Sequence, residues 1–398
     1  RYILCWYSCK LFFYLFFLPS CRLPNTMKPV LFPQPYLSRC FAESYAEARD
    51  KFSKQCRATA AVNGYEELKY EATGPSGELL LTAVAWQGDQ SASKVLVLQS
   101  ATHGVEGFAG SAIQIDTMQT LAQQDLPSDV AILYIHALNP YGFAWLRRVN
   151  EDGVDLNRNA IDFSQPLPHN LEYALLAESI LPLQPADWEQ ADQILKDFRN
   201  EYGQQALELA ISGGQYQFAD GLFYGGSQPT QSRQYLHQII ERYQLTERAQ
   251  VAVIDIHSGL GPFGYGEVIC DHAPGTPGVL HARQWYGESV TEPALGSSSS
   301  VPKLGLIDYL WQDLLKQRVC FVTLEFGTYD IERMFEVLRQ DHFLHRQPLD
   351  WNAQTTQSVK RDIRQIFYPE SADWQEMVLM RGRQCVHQAL NGLSEINE

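Results

Sequence analysis

Residues 95–110 read Val-Leu-Val-Leu-Gln-Ser-Ala-Thr-His-Gly-Val-Glu-Gly-Phe-Ala-Gly, and this stretch decides the fold. Its apolar start at residues 95–98 predicts a buried strand, and the pattern turns helical near residue 107. Between strand and helix lie His103 and Glu106, two side chains that can bind a metal ion. Open α/β sheets place their sites on such loops, at the carboxyl ends of the strands. Because His-x-x-Glu alone is more often an ordinary turn, a site here needs further ligands from elsewhere in the chain.

The neighbouring residues extend this stretch into a βαβ unit. Apolar side chains recur at helical spacing over residues 107–123, and residues 129–136 form a second apolar run rich in β-branched residues. Two strands joined by a single helix predict parallel pairing and a right-handed crossover. The chain as a whole is therefore predicted to have an α/β fold. Further strands are predicted at 65–71 and 78–86, which flank the turn Gly74-Pro75-Ser76-Gly77 and so predict a hairpin, and at 251–257, 265–271 and 319–326. Helices are predicted at 42–57, 230–244 and 303–316, and residues 170–212 are predicted to be mostly helical.

Two of the later strands also end in ionisable side chains, His257 and Glu325. A His/Glu/His set with an open fourth position is typical of catalytic zinc. A carboxylate such as Glu325 can take a proton from water and deliver it to a leaving nitrogen. From the residues alone, two alternatives stay open: His257 as a core histidine bonded to a carbonyl, and Glu325 as a salt-bridged carboxylate at a strand end.

Five short motifs follow one another along the chain: His103-Gly-Val-Glu106, Asn139-Pro-Tyr-Gly142, Gly153-Val-Asp-Leu-Asn-Arg-Asn159, Asp255-Ile-His-Ser258 and Thr323-Leu-Glu-Phe326. In this order they resemble the motif set of the M14 zinc carboxypeptidases, over residues 40–390. The nearest likeness is to the DUF2817 branch, and the aspartoacylase and succinylglutamate desuccinylase group is also related. One such motif would be weak support, whereas five in the same order are specific.

The resemblance implies a carboxypeptidase-like three-layer α/β/α sandwich with a mixed, mostly parallel sheet. It also implies one zinc ion per chain, bound by His103, Glu106 and His257. Asp155 would accept a hydrogen bond from the His103 ring, as outer carboxylates do for metal-binding histidines. Asp255, two residues before His257, is either a second partner of this kind or a satisfied buried acid.

The resemblance further implies a set of residues that act on the substrate. Asn157 and Arg158 would hold a substrate carboxylate, since a guanidinium can donate two parallel hydrogen bonds. Arg148, or its neighbour Arg147, would stabilise the oxyanion of the scissile carbonyl. The other arginine of this pair would be a second substrate contact or plain surface charge. Glu325 would be the general base and acid.

Two tyrosines mark departures from the familiar pattern of the family. Tyr141 stands where an aspartate usually follows the proline of the second motif, a position that we take to be structural. The carboxypeptidases also use a mobile tyrosine upstream of the base, and Tyr309 is the nearest candidate, but no motif fixes it. This second departure leaves open which end of a substrate is recognised.

The predicted function is zinc-dependent hydrolysis of an amide or peptide bond next to a free carboxylate, with Glu325 activating the water. The expected partners are peptides or N-acyl amino acids. One alternative is an N-acyl amino-acid deacylase of the aspartoacylase type, although the acidic segment at 160–212, absent from a minimal deacylase, favours larger or different substrates. Another alternative is a catalytically silent binding protein with the same fold, against which the retention of Glu325 argues.

Composition limits the kinds of partner. The chain has 46 acidic and 31 basic residues and a net charge of −15, which argues against nucleic acid, because phosphate binding needs a basic surface. The apolar run at residues 11–18 is too short to span a bilayer, so we expect no stable membrane association. The oligomeric state is not predicted.

The chain ends and the cysteines bear on domain organisation. Residues 1–26 are expected to be an upstream extension or a signal-like segment. Residues 27–398 are expected to form a single catalytic domain with a helical insertion near 160–245. Scattered cysteines without metal-type spacing predict reduced thiols and a cytoplasmic protein, unless residues 1–26 are a genuine signal.

Overall fold

The computed structural model describes residues 31–396, except residues 123 and 125. The prediction for residues 1–26 therefore lies outside the described residues. The N-terminal part of the described chain, up to residue 144, carries four helices and four strands: α1 (Gln34–Cys40), α2 (Tyr45–Ala58), β1 (Val62–Thr73), β2 (Leu79–Gln87), β3 (Lys94–Ser100), α3 (Gly107–Leu121), β4 (Val130–His136) and α4 (Pro140–Ala144).

The rest of the described chain is richer in helices and supplies the remaining strands. Its elements are α5 (Leu171–Ile180), α6 (Trp188–Tyr202), α7 (Gln204–Ser212), α8 (Gln231–Arg242), β5 (Gln250–Gly259), β6 (Gly266–Ile269), α9 (Pro277–Tyr286), α10 (Ile307–Leu315), β7 (Val319–Gly327), α11 (Ile331–Leu344), α12 (Gln354–Phe367) and α13 (Ala372–Glu395).

The described strands form one seven-stranded sheet in the order β1-β2-β4-β3-β5-β7-β6. The four central strands β4, β3, β5 and β7 pair in parallel. Antiparallel pairs join β1 to β2, β2 to β4 and β6 to β7. The predicted hairpin and the predicted parallel βαβ unit are both confirmed, and the sheet is mixed and mostly parallel. Parallel central strands bring the ends of β3, β5 and β7 to one edge of the sheet.

Two apolar cores cover the two faces of the sheet, and alternate residues of each central strand enter different cores. Leu96 and Leu98 of β3 pack in the core that includes α1, α2, α3, α9 and α13. Val95 and Val97 pack in the core that includes α8 and α10. Strands buried on both faces read as continuous apolar runs, because neither face meets water. The predicted three-layer α/β/α arrangement is confirmed.

A third apolar core joins the helices of the acidic segment to the late helices. Side chains of α5, α6 and α7 pack with those of α11 and α12 in this core. Val105, which lies between His103 and Glu106, belongs to the same core. The helices of residues 170–212 therefore pack beside the ligand-bearing turn.

The predicted helix at 303–316 is wrong at its start, because α10 begins only at Ile307. Gly305 has a φ of +67°, and a Cβ at this position would lie 2.2 Å from the carbonyl oxygen of Arg158. A left-handed residue pressed against another backbone cannot continue a helix. Residues 303–306 instead form a loop, in which Leu304 N donates to Gly213 O at 2.8 Å and Gly305 O accepts from Ala160 N at 3.0 Å.

Two of the composition-based expectations can be compared with the described residues. Cys40, Cys56, Cys270, Cys320 and Cys385 are buried free thiols, as their scattered spacing predicts. Within residues 31–396, leaving aside 123 and 125, no helix has both the length and the apolar character needed to cross a bilayer.

Candidate functional site

Three side chains from two strand ends converge in a buried cluster. His103 and Glu106 lie in the turn between β3 and α3, and His257 lies near the end of β5. His103 Nδ1 is 2.9 Å from Glu106 Oε1, and His257 Nδ1 is 3.1 Å from both His103 Nδ1 and Glu106 Oε2. One ligand atom from each residue lies within 4.8 Å of the other two. Among the described residues this is the one such group of three.

The outward-facing nitrogens of both histidines contact buried carboxylates. His103 Nε2 lies 3.3 Å from Asp155 Oδ1, and His257 Nε2 lies 2.7 Å from Asp255 Oδ2. An ionised carboxylate only accepts hydrogen bonds, so a neutral ring that donates to it from Nε2 presents a lone pair on Nδ1. In that tautomer the Nδ1 lone pairs of both rings lie beside the Glu106 carboxylate, whose Oε2 also accepts from Ser258 N at 3.2 Å. This donor set fits a divalent metal of the zinc type.

The Asn139-Pro-Tyr-Gly142 motif contacts the backbone of the turn that carries His103 and Glu106, and also the backbone of Arg148. A Cβ at Gly104 would lie 2.0 Å from the carbonyl carbon of Gly142, so these two backbones meet where no side chain fits. The Asn139 side chain caps α4 by accepting from Gly142 N, and its Nδ2 donates to Arg148 O at 3.3 Å. Gly104 N donates to the same carbonyl at 3.2 Å. These hydrogen bonds fix the backbone of Arg148 relative to the turn that carries His103 and Glu106.

The two neighbouring arginines point to different surroundings. Arg148 Nε donates to Asp155 Oδ2 at 2.9 Å, and its Nη atoms lie 3.4 Å from Glu106 Oε1 and 2.6 Å from His103 Nε2. Arg147 Nε instead donates to Asp341 Oδ2 at 3.0 Å in the interior. The structure therefore brings Arg148 to the candidate metal-binding group and places Arg147 in a separate buried ion pair.

Asn157 and Arg158 follow Asp155 in a single helical turn and line a small cavity beside His103. Asn157 Oδ1 accepts from Ile307 N at 2.7 Å, which fixes the amide and leaves its NH₂ group to donate. Arg158 is fully buried, and its guanidinium donates twice to Ser212 O and once to Asn157 O. Since a guanidinium has five N–H groups, one remains on each terminal nitrogen for a ligand.

Glu325 lies near the end of β7, opposite His257 in the parallel pair of strands. Its Oε1 accepts a hydrogen bond from Leu260 N at 3.0 Å. Burial, together with the negative charge of Glu106, raises the pKa of Glu325 to about 7. A carboxyl group with a pKa near neutrality can both accept and return a proton at physiological pH.

A protein-family model matches most of the chain. The model described as "Protein of unknown function (DUF2817)" matches residues 41–381. The chain belongs to this family. The family assignment made from the five motifs is thereby confirmed. A search of curated proteins gives no match.

Solved structures similar to this DUF2817 protein include carboxypeptidase A from Helicoverpa armigera. The two are 13% identical over 89% of this chain and 74% of that one, with a TM-score of 0.51. An aspartoacylase family protein from Mesorhizobium loti is 14% identical over 66% of this chain and 61% of its own, with a TM-score of 0.36. The murein-tripeptide amidase of Escherichia coli O157 is 17% identical over 74% and 98%, with a TM-score of 0.34. The first likeness establishes a carboxypeptidase-like fold.

Three further ionisable residues line the small cavity of the DUF2817 protein, and the motifs did not reveal them. Lys303, Asp271 and Asp308 face the same space of about 50 Å³ as Asn157 and Arg158. Burial beside Arg158 lowers the pKa of Lys303 to about 7, and burial raises the pKa of Asp271 to about 6. Asp308 is 3% exposed, and its Oδ1 has no hydrogen-bond partner among the described residues.

Only one of these three residues had a signal in the sequence. Asp271 closes the predicted strand at 265–271, which is the same strand-end position that pointed to His257 and Glu325. Lys303 was assigned to a helix, and Asp308 lies inside one. Tyr309, the candidate tyrosine, donates its hydroxyl to Lys303 O at 3.3 Å and so contacts the cavity loop.

Proposed function

We propose that this DUF2817 protein is a zinc-dependent hydrolase that cleaves an amide or peptide bond next to a free carboxylate. One observation carries the proposal: His103, Glu106 and His257 present acceptors to one point, while Asp155 and Asp255 hold the outer nitrogens of both rings. Metal-binding histidines are held in this way, because an outer carboxylate fixes the ring and makes it a better donor to the metal.

The residues around His103, Glu106 and His257 have different roles in the proposed reaction. Zinc at this position would supply Lewis acidity, which polarises a carbonyl and makes a nearby water more acidic. Glu325 takes the proton of the attacking water and returns it to the leaving nitrogen, for which its raised pKa is suited. Arg148 donates hydrogen bonds to the oxygen that becomes negative in the transition state. Leu260 N holds the Glu325 carboxylate in place through its hydrogen bond.

Asn157 and Arg158 hold the carboxylate of the substrate. Both residues line the small cavity beside His103, so a carboxylate bound there would lie close to the reacting bond. Paired donors of this kind fix position as well as charge, which raises the rate by orienting the bond to be cut.

Two substrate classes share this chemistry: peptides cleaved at the carboxyl end, and N-acyl amino acids. The small volume beside Asn157 and Arg158, about 50 Å³, favours a single small amino acid as the leaving group. An N-acyl amino-acid deacylase is therefore the second candidate. A silent binding protein with this fold is the candidate of another class, and the presence of Glu325 opposite His257 argues against it.

A metal assay combined with a substrate panel tests the proposal. Purified protein is expected to hold about one zinc per chain by elemental analysis. Chelation should abolish hydrolysis, and zinc should restore it. The panel compares peptides that differ in their last residue with N-acyl amino acids. Activity that survives complete removal of metal would overturn the mechanism. Metal-loaded protein that cuts neither class would favour a binding role.

A further inference from the structure

A second, larger cavity adjoins the candidate site on the other side of Arg148. It has a volume of about 330 Å³ and lies between α6, α7 and α11. Its walls are mainly apolar. They include Leu195, Ile211, Phe223, Leu260, Met334 and Leu338.

The two sides of this cavity differ in charge and exposure. Arg148, Arg158 and Lys303 line it where it meets the site. Elsewhere the exposed side chains of Lys196 and Glu332 line it, so this side reaches solvent. The cavity thus combines apolar walls with a cationic inner side, which suits an apolar chain that carries a carbonyl or carboxylate at its inner end.

Ion pairs between the facing helices hold the walls together. Arg339 of α11 donates to Asp192 of α6 at 2.6 Å, and Arg199 of α6 pairs with Glu332 of α11. Arg339 also donates to the carbonyl oxygen of Ile180 at 2.8 Å, which ties α11 to α5. The cavity is therefore a formed part of the fold, and the helices of residues 170–212 supply one of its walls.

Phe223 connects this cavity to the candidate site. Its ring lies 5.2 Å from the Arg148 guanidinium and 5.6 Å from that of Arg158, while also lining the cavity. Its φ of +55° is uncommon for a bulky residue. Such a conformation persists where the surrounding structure fixes it. Here Gln215 N donates a hydrogen bond to Phe223 O at 3.2 Å, which holds the backbone at this position.

The two cavities lie against different parts of the site. The small cavity borders His103 and Asn157, whereas the large one borders Leu260, the residue that holds Glu325. Arg148 lines both. A substrate whose carboxylate is held at Asn157 therefore has its leaving amino acid on the small side and its acyl group on the large side.

We infer that the large cavity binds an apolar acyl group on the carbonyl side of the bond to be cut, attached to a small amino acid with a free carboxylate. This inference rests on the proposed function and names its substrate class. The acyl group has two possible sources: a fatty acyl chain, or an apolar amino-acid residue of a peptide. Both would bury apolar surface against the same walls.

Hydrolysis rates test the inference directly. The probes are N-acetylglycine and N-octanoylglycine for the fatty acyl source, and N-acetylglycylglycine and N-acetylleucylglycine for the peptide source. For the source that is used, kcat/KM should rise about fourfold for each buried methylene group. Equal kcat/KM values within both pairs would overturn the inference. Hydrolysis of none of the four would overturn the proposed function instead.

Variants of the cavity wall sharpen this test. Ile211→Trp fills the cavity from α7, where Ile211 is 6% exposed. It should bring close to one the kcat/KM ratio of whichever probe pair the wild type discriminates. Leu209→Trp lies on the same helix but is 47% exposed and outside the cavity, so the ratio should persist. If Ile211→Trp fails to fold, Leu207→Lys places a charge on the half-buried wall instead. A ratio unchanged in both cavity variants would overturn the inference.

Binding to metal-free protein separates the cavity from the chemistry. Titration calorimetry should find octanoate bound at least tenfold more tightly than butanoate, with a negative heat-capacity change from burial of the chain. Ile211→Trp should remove this preference. Octanoate that binds no better than butanoate would exclude the fatty acyl source, and equal kcat/KM values for the peptide pair as well would overturn the inference. Octanoate binding without hydrolysis of any probe would leave the cavity assignment standing and reject the proposed reaction.

Discussion

Arg148 and Asp155 are joined by a hydrogen bond from Nε to Oδ2 at 2.9 Å, while the other oxygen of Asp155 lies 3.3 Å from His103 Nε2. One buried carboxylate therefore orients both a metal-binding ring and the cation beside it. Burial alone would raise the pKa of Asp155, but the positive charge of Arg148 prevails and holds this pKa well below its usual range. This shared anchor makes the positions of ring and guanidinium depend on each other.

Arg148→Ala should lower kcat by about 10²–10³-fold, because it removes donors that stabilise the developing oxyanion. Metal content should stay close to one per chain, since Asp155 still holds His103. Steady-state kinetics together with elemental analysis measure both effects. A loss of less than tenfold in kcat, with metal retained, would assign the oxyanion to another group.

Glu325→Gln should keep the metal and lower kcat by about 10²–10⁴-fold, because the amide cannot take up the proton of water. The amide oxygen can still accept from Leu260 N, so the local structure is expected to persist. Glu292→Gln is the control: it alters an equally buried glutamate that pairs with Arg283 instead. Full activity in the Glu325 variant would contradict the role of this residue.

The strand ends and the ligand motif could be predicted from the sequence because they are local. The run at 95–98, the His103–Glu106 spacing and the order of the five motifs sit in contiguous residues. Parallel pairing then brings His257 of β5 beside the β3 turn without any further information. The hairpin of β1 and β2 and the burial of the central strands on both faces could be predicted for the same reason, because each shows in a contiguous stretch of sequence.

The cavity residues could not be predicted, because they meet only through packing between distant segments. Lys303 reaches the site because Gly305 turns the chain against Arg158, which delays the start of the predicted helix to Ile307. Ile211 and Met334 face each other across the large cavity although 123 residues separate them in sequence (334 − 211). The choice between Arg147 and Arg148 has the same origin, since it depends on where Asp341 of α11 lies.

Asp255→Ala should weaken metal binding by about 10–100-fold, because the His257 ring loses the carboxylate that orients it. Asp255 also accepts from Thr102 Oγ1 at 2.9 Å, so the variant frees a second group beside the site. Metal affinity is measured by competition with a chelator of known affinity. Asp116→Ala serves as control: this acid is equally buried but pairs with Arg383. Equal affinity in wild type and the Asp255 variant would contradict the role of this carboxylate.

Asp341→Asn should lower the free energy of unfolding by about 3–5 kcal/mol, because two buried cations, Arg147 and Lys360, lose their counter-charge. The effect should depend on pH. Burial opposes ionisation of Asp341, but the charges of Lys360 and Arg147 prevail and hold its pKa below the usual range. A depressed carboxyl pKa contributes stability that is present above the unfolded-state value, about 4, and is lost as pH falls below it.

The difference between wild type and the Asp341 variant should therefore be constant at neutral pH and shrink below pH about 4. Urea unfolding at a series of pH values measures it. Asp362→Asn is the control, since this exposed acid pairs with Arg333 at 3.3 Å and its loss should cost less than about 1 kcal/mol. A difference that stays the same down to pH 2, or one that never exceeds the control, would contradict a buried charge network around Arg147.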